Sequence, residues 1–140
     1  MSRVFIAGYS QFKEIMAYIR EELDALGCEK AIIDKAHVIC DELITNIIKN
    51  AYEGIERCNV EGMNCPKPLE IFCLRKLNGI IIKLADWGKP FNPLGYSGDP
   101  SEKAAHGGFG IGIVKGLADS IEYEFKNGRN LTEFFLEDGK

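Results

Sequence analysis

The sequence predicts an α+β domain, a two-layer sandwich in which a mixed β-sheet carries helices on one face. Three observations lead there. Two stretches with helical spacing of apolar residues follow each other with no strand between them. The strand-like runs gather in two hairpins, each with an Asn-Gly pair at its turn. A glycine-rich segment of about twenty residues separates the hairpins, too long for an idle connection and so a candidate lid.

The elements follow in chain order. Residues 3–7 alternate as a strand, and residues 8–10 offer a break with Ser10 as N-cap. Over 11–26, Phe12, Ile15, Met16, Ile19, Leu23 and Leu26 recur at helical spacing, and Gly27 supplies a stop. Over 29–52, Ile32, Ile33, Ala36, Ile39, Cys40, Leu43, Ile47 and Ala51 form one broad stripe closed by Gly54. Residues 57–68 hold turn formers without periodicity and read as a loop. Strands at 69–76 and 80–86 flank Leu77-Asn78-Gly79. After the glycine-rich stretch 88–108, residues 110–119 fit a short helix through Ile111, Val114 and Leu117. Strands at 121–126 and 131–136 then flank Asn127-Gly128.

Length and charge narrow the function. At 140 residues, with 46% apolar and 27% charged side chains, the chain reads as one domain over 1–140. Its 17 Lys plus Arg against 21 Asp plus Glu leave a charge of -4, which argues against direct nucleic-acid binding, where basic residues must neutralise phosphates. The longest run of apolar residues and glycine, 107–114, is far short of the ~18 residues that span a bilayer, and the N-terminus carries charges where a secretory signal needs an apolar core. A cytoplasmic protein with no membrane partner is expected. Five cysteines without a C-x-x-C pair suggest reduced thiols; Cys58 and Cys65, with His37 or His106, offer donors but no common zinc spacing.

Three local patterns carry possible chemistry. Gly108 and Gly110 lack the third glycine of a dinucleotide fingerprint, and Gly107 and Gly112 lack the lysine of a P-loop. What remains, Gly107-Gly108-Phe109-Gly110-Ile111-Gly112, opens a helix whose free N–H groups suit phosphate, or is a flexible turn into a packing helix. Glu42 and Asn46 lie four apart on one helix face. An Asn oxygen with phosphate oxygens suits magnesium and leaves Glu42 to take a proton, although the same spacing describes a solvated polar face. Asp86, at the end of a strand and followed by Gly88, can accept a hydrogen bond from an exocyclic amino group and so favour adenine, or serve as ordinary turn chemistry.

In this order and spacing the three patterns resemble the GHKL ATP-binding superfamily with its Bergerat fold, and within it the small anti-sigma-factor serine kinases. The segment Glu42-x-x-x-Asn46-x-x-x-Asn50-Ala51 is similar to the N box, with Asn50 where many relatives have His. Asp86-x-Gly88-x-x-Phe91-x-Pro93 resembles the first glycine box in its F-x-P form, with Pro90 in place of a glycine, and Gly107 to Ile111 the second, with Ile111 in place of a common leucine. Asn130-Leu131-Thr132 resembles the closing motif. The resemblance implies ATP and Mg2+ as cofactors, Glu42 as general base, Asn46 as magnesium ligand and Asp86 as adenine reader. It implies that Gly88 permits close approach, that Gly108, Gly110 and Gly112 let the lid wrap the triphosphate, and that Thr132 completes the adenine pocket beside the aspartate. It further implies a protein serine kinase that sequesters a sigma factor, phosphorylates a STAS-type anti-sigma antagonist and forms a homodimer. An ATP-binding module without transfer, or a detached histidine-kinase catalytic module, are the competing readings. Against the latter, His37 is followed by Val38 rather than an acidic residue.

Overall fold

A computed structural model describes residues 2–58, 60–94 and 111–138. Strand β1 (Ser2–Ile6) leads through a single 3-10 turn (Tyr9–Gln11) into α1 (Phe12–Ala25), and α2 (Lys30–Asn46) continues as a π-helical turn over Ile47–Ala51. Strands β2 (Pro68–Lys76) and β3 (Gly79–Asp86) form the first hairpin, then come α3 (Ile111–Leu117) and the second hairpin, β4 (Ser120–Lys126) and β5 (Arg129–Glu137). The α+β two-layer architecture is the one expected. None of the helices among the described residues is long and apolar enough to cross a membrane.

The five-stranded sheet has the order β1-β2-β3-β5-β4, and every neighbouring pair is antiparallel. This corrects the expected mixed sheet. Two helices, out and back, separate β1 from β2, so the chain re-enters antiparallel; one helix would have made the pair parallel. Strands β3 and β4 do run in the same direction, but β5 inserts between them, pairing antiparallel with each. That insertion sets Asp86 of β3 directly opposite Asn130 of β5.

One face of the sheet and the inner faces of the helices make a single core. Leu69, Ile71 and Cys73 of β2, Ile80, Ile82 and Leu84 of β3, and Phe134 and Leu136 of β5 alternate inward, as period-two strands require. Against them lie Ile15, Ile19 and Leu23 of α1 and Ile39, Leu43 and Ile44 of α2, all nearly devoid of solvent contact. The stripe read for α2 is buried at every position named for it. Across the sheet from the site, Arg75 pairs with Asp138 and donates to the Leu26 carbonyl at 2.8 Å, fastening the end of α1 to the β2–β3 hairpin. All five cysteines carry free thiols, with Cys28, Cys40 and Cys73 buried.

Two local expectations change. Ser10 lies inside the 3-10 turn and makes no capping hydrogen bond; the turn is begun by Gly8, and the Gln11 amide side chain instead accepts the Ile6 N–H at 2.9 Å. In the first hairpin, Lys76 pairs with Gly79, so the two turn residues are Leu77 and Asn78. Gly79 is needed for space rather than for its φ: a Cβ there would sit 2.2 Å from the Leu136 carbonyl oxygen and 2.6 Å from the Phe135 ring. The second hairpin does turn on its Asn-Gly pair, with φ of 54° at Asn127 and 76° at Gly128, as a type I′ turn demands.

Candidate active site

The site grows from the C-terminal end of α2. Glu42, Asn46 and Asn50 recur every four residues and form a chain of side-chain hydrogen bonds along one face. The Asn50 amide donates to Asn46 Oδ1 at 3.5 Å, and the Asn46 amide donates to Glu42 Oε1 at 3.2 Å. Asn46 is 2% exposed, whereas Glu42 is half-buried. A buried amide held between two polar neighbours, beside a carboxylate that still reaches solvent, is a poor fit to a merely solvated helix face.

The π-helical turn then redirects the chain. Tyr52 donates its backbone N–H to the Ile47 carbonyl at 3.0 Å, five residues back, so one extra residue enters the turn. Carbonyls at a helix end need partners from elsewhere. The Ala51 carbonyl obtains one from Lys89, whose N–H lies 2.7 Å away. Gly88 fits against this contact only because it lacks a side chain, since a Cβ would come within 2.4 Å of the Ala51 oxygen and 2.9 Å of the Ala51 Cβ. The close approach expected of Gly88 is thus an approach to the end of α2. The buried Tyr52 hydroxyl completes the seam: it donates to the Pro68 carbonyl and accepts the Trp87 N–H at 2.9 Å.

Asp86, 2% exposed, ends β3 at this seam. Its Oδ1 accepts the Gly88 N–H and the Asn130 amide, each at 2.9 Å, while no donor among the described residues reaches Oδ2. Burial pushes the carboxyl up from 3.8 to about 6, against the two hydrogen bonds, which favour the charged form. A buried carboxylate with one oxygen held and the other left over is the donor-seeking group that an exocyclic amine satisfies.

Thr132 is buried on the same strand face but lies opposite Leu84, one inward position beyond the aspartate. The partner of Asp86 is Asn130, which also donates to the Lys89 carbonyl at 2.8 Å and accepts the Phe91 N–H at 3.0 Å and the Tyr123 hydroxyl. The side chain of Phe91 packs half-buried against the core. Ile111 is buried at the start of α3, and Gly112 is exposed with open space where a Cβ would be. Gly107, Gly108, Phe109 and Gly110 lie outside the described residues, as does His106. The structure therefore brings Glu42, Asn46 and Asn50 together on one helix face, and joins that helix through Ala51 to Gly88, Asp86 and Phe91. Sequence reasoning gave no part to Tyr52 or Tyr123, and treated Asn130 only as a motif member.

Residues 5–135 match the family described as the histidine kinase-like ATPase domain, and the chain belongs to that family. Membership implies ATP binding, and the residues suit it: Asp86 offers to a base a carboxylate oxygen that meets no donor among the described residues, and Asn46 offers a hard amide oxygen to a cation beside phosphate. No curated protein matches the chain closely enough to count as a relative.

Proposed function

We propose that the chain is an ATP-dependent serine kinase of the anti-sigma type, acting in the cytoplasm as a homodimer. It phosphorylates a STAS-type antagonist and sequesters a sigma factor. The observation that carries this reading is the pairing of Glu42 with Asn46: a half-buried carboxylate that makes no ion pair among the described residues, held 3.2 Å from a buried amide. A site that needed only nucleotide occupancy would have no use for a carboxylate kept available in this way.

ATP bound with Mg2+ supplies a transferable phosphoryl group. Asp86 would hold the exocyclic amine of the base, and Asn46 would hold the cation through its amide oxygen. Glu42 takes the proton of the substrate serine hydroxyl as its oxygen bonds to phosphorus and the bond to the departing ADP oxygen breaks. The chain's part is positioning and proton acceptance, the contributions phosphoryl transfer asks of a protein.

Incubating the protein with γ-labelled ATP, Mg2+ and a panel of purified STAS-type antagonists tests the proposal. Acid-stable label on a serine of one antagonist is the expected result. ATP binding without transfer to any of them points to the non-catalytic module, and acid-labile label on histidine to a histidine-kinase module.

A further inference from the structure

The side-chain amide of Asn130 has two N–H donors and an oxygen with two lone pairs, and the protein itself uses all four. The donors go to Asp86 Oδ1 at 2.9 Å and the Lys89 carbonyl at 2.8 Å; the oxygen accepts from the Phe91 N–H at 3.0 Å and from the Tyr123 hydroxyl. The orientation of the amide is fixed by its neighbours. Lys89 presents a carbonyl that can only accept and Phe91 an N–H that can only donate, so the reversed amide would face like with like at both. At 2% exposure, with every valence taken, Asn130 has nothing left to offer a ligand directly.

We infer that Asn130, its amide polarised by Tyr123, is the positioning residue that sets nucleobase selectivity by holding Oδ1 of Asp86 and leaving Oδ2 to the base. This rests on the reading of the site as an ATP site. With Oδ1 occupied by Gly88 and Asn130, the carboxylate cannot turn about its last bond without losing two hydrogen bonds. An amino group at the base's six position meets an acceptor in the fixed Oδ2; a carbonyl oxygen there, as in guanine, meets repulsion. The Tyr123 hydroxyl, arriving from edge strand β4, polarises the Asn130 amide and strengthens its N–H donors. The same amide spans residues 89 and 91, so the orientation of the carboxylate and the path of the chain leaving the site are set by one group.

Affinities for ATP and GTP, followed through Trp87 fluorescence, test this in wild type, Asn130→Ala and Tyr123→Phe. Wild type is expected to prefer ATP. That preference falls about tenfold or more in Asn130→Ala and several-fold in Tyr123→Phe, in line with the loss of hydrogen bonds to a charged group. In the nucleotide-free protein, the carboxyl carbon signal of Asp86 titrates at higher pH in Asn130→Ala, because a bond that favours the carboxylate is gone. Variants that keep the wild-type preference and the Asp86 titration, with only their melting temperatures lowered, overturn the inference and leave the ATP site standing. A wild type that binds ATP and GTP alike, or neither, overturns the reading of Asp86 itself and this inference with it. Should Asn130→Ala not fold, Tyr123→Phe decides, since it removes a single oxygen.

Discussion

Lys89 donates its backbone N–H to the carbonyl oxygen of Ala51 at 2.7 Å, and through this bond the helix carrying Glu42 and Asn46 is fastened to the loop that follows Asp86. The contact needs Gly88 beside it. Gly88→Ala forces a methyl group to 2.4 Å from the Ala51 oxygen, where backbone rather than a flexible side chain must give way. A loss of about 1–3 kcal/mol in urea unfolding is expected, with ATP binding weakened about tenfold or more. By contrast Gly116→Ala, with open space inside α3, should raise stability by about 0.5–1 kcal/mol. Calorimetric titration and denaturation of both variants check the pair.

Asp86 gives a pH dependence whose sign is unusual for a carboxylate. Its folded pKa is raised to about 6 from 3.8, so between these values the native state binds more protons than the unfolded chain. Its contribution is most favourable below about pH 4 and is lost as pH rises through about 6. Asp86→Asn retains the acceptor for Gly88 and Asn130 without the charge. The variant should be more stable than wild type by about 1–3 kcal/mol at pH 7, with the difference vanishing below about pH 4, while ATP binding is lost. Denaturation curves at several pH values, with a nucleotide titration at pH 7, read both effects.

Glu42→Gln keeps an oxygen for the Asn46 amide and removes the base. Phosphate transfer to the antagonist is expected to fall by about 10² to 10⁴, with ATP affinity within a few-fold of wild type. Single-turnover transfer and equilibrium binding separate the two, and a variant that still transfers at the wild-type rate removes Glu42 from the chemistry.

The Arg75 and Asp138 pair lies away from the site and tests stability alone. The Asp138 side chain is 0% exposed and that of Arg75 31%. Arg75→Ala removes a partner from a buried carboxylate and two bonds from the Leu26 carbonyl, so a loss of about 2–4 kcal/mol in urea unfolding is expected. The folded fraction should bind ATP as wild type does, which a titration below the unfolding midpoint measures.

Much of this was legible because periodicity and turn chemistry are local. The stripe from Ile32 to Ala51 had to face a core, and Asn127-Gly128 could turn a hairpin unaided. Glu42, Asn46 and Asn50 declare their shared face by spacing alone. The relations that escaped are those between distant segments. Nothing near Asn130 says that it faces Asp86, because β5 enters the sheet beside β3 out of chain order. The hydroxyls of Tyr52 and Tyr123 read as ordinary strand and helix-end aromatics until their buried partners are in place. The π-helical turn has no signature either; it ends at Ala51, whose carbonyl meets Lys89 from a distant segment.

The placement of β5 between β3 and β4 has a further consequence, for the order of folding. The Asp86 to Asn130 contact spans 44 positions of sequence, and it cannot form before the second hairpin has docked its β5 edge on β3. Closing such long loops is slow relative to forming local helices and hairpins, so base recognition is among the final properties the domain acquires. Nucleotide then acts as a ligand of the finished topology alone. By mass action it raises the stability of the whole domain as its concentration exceeds Kd, and partly assembled chains, lacking the Asn130 bridge, gain nothing from it.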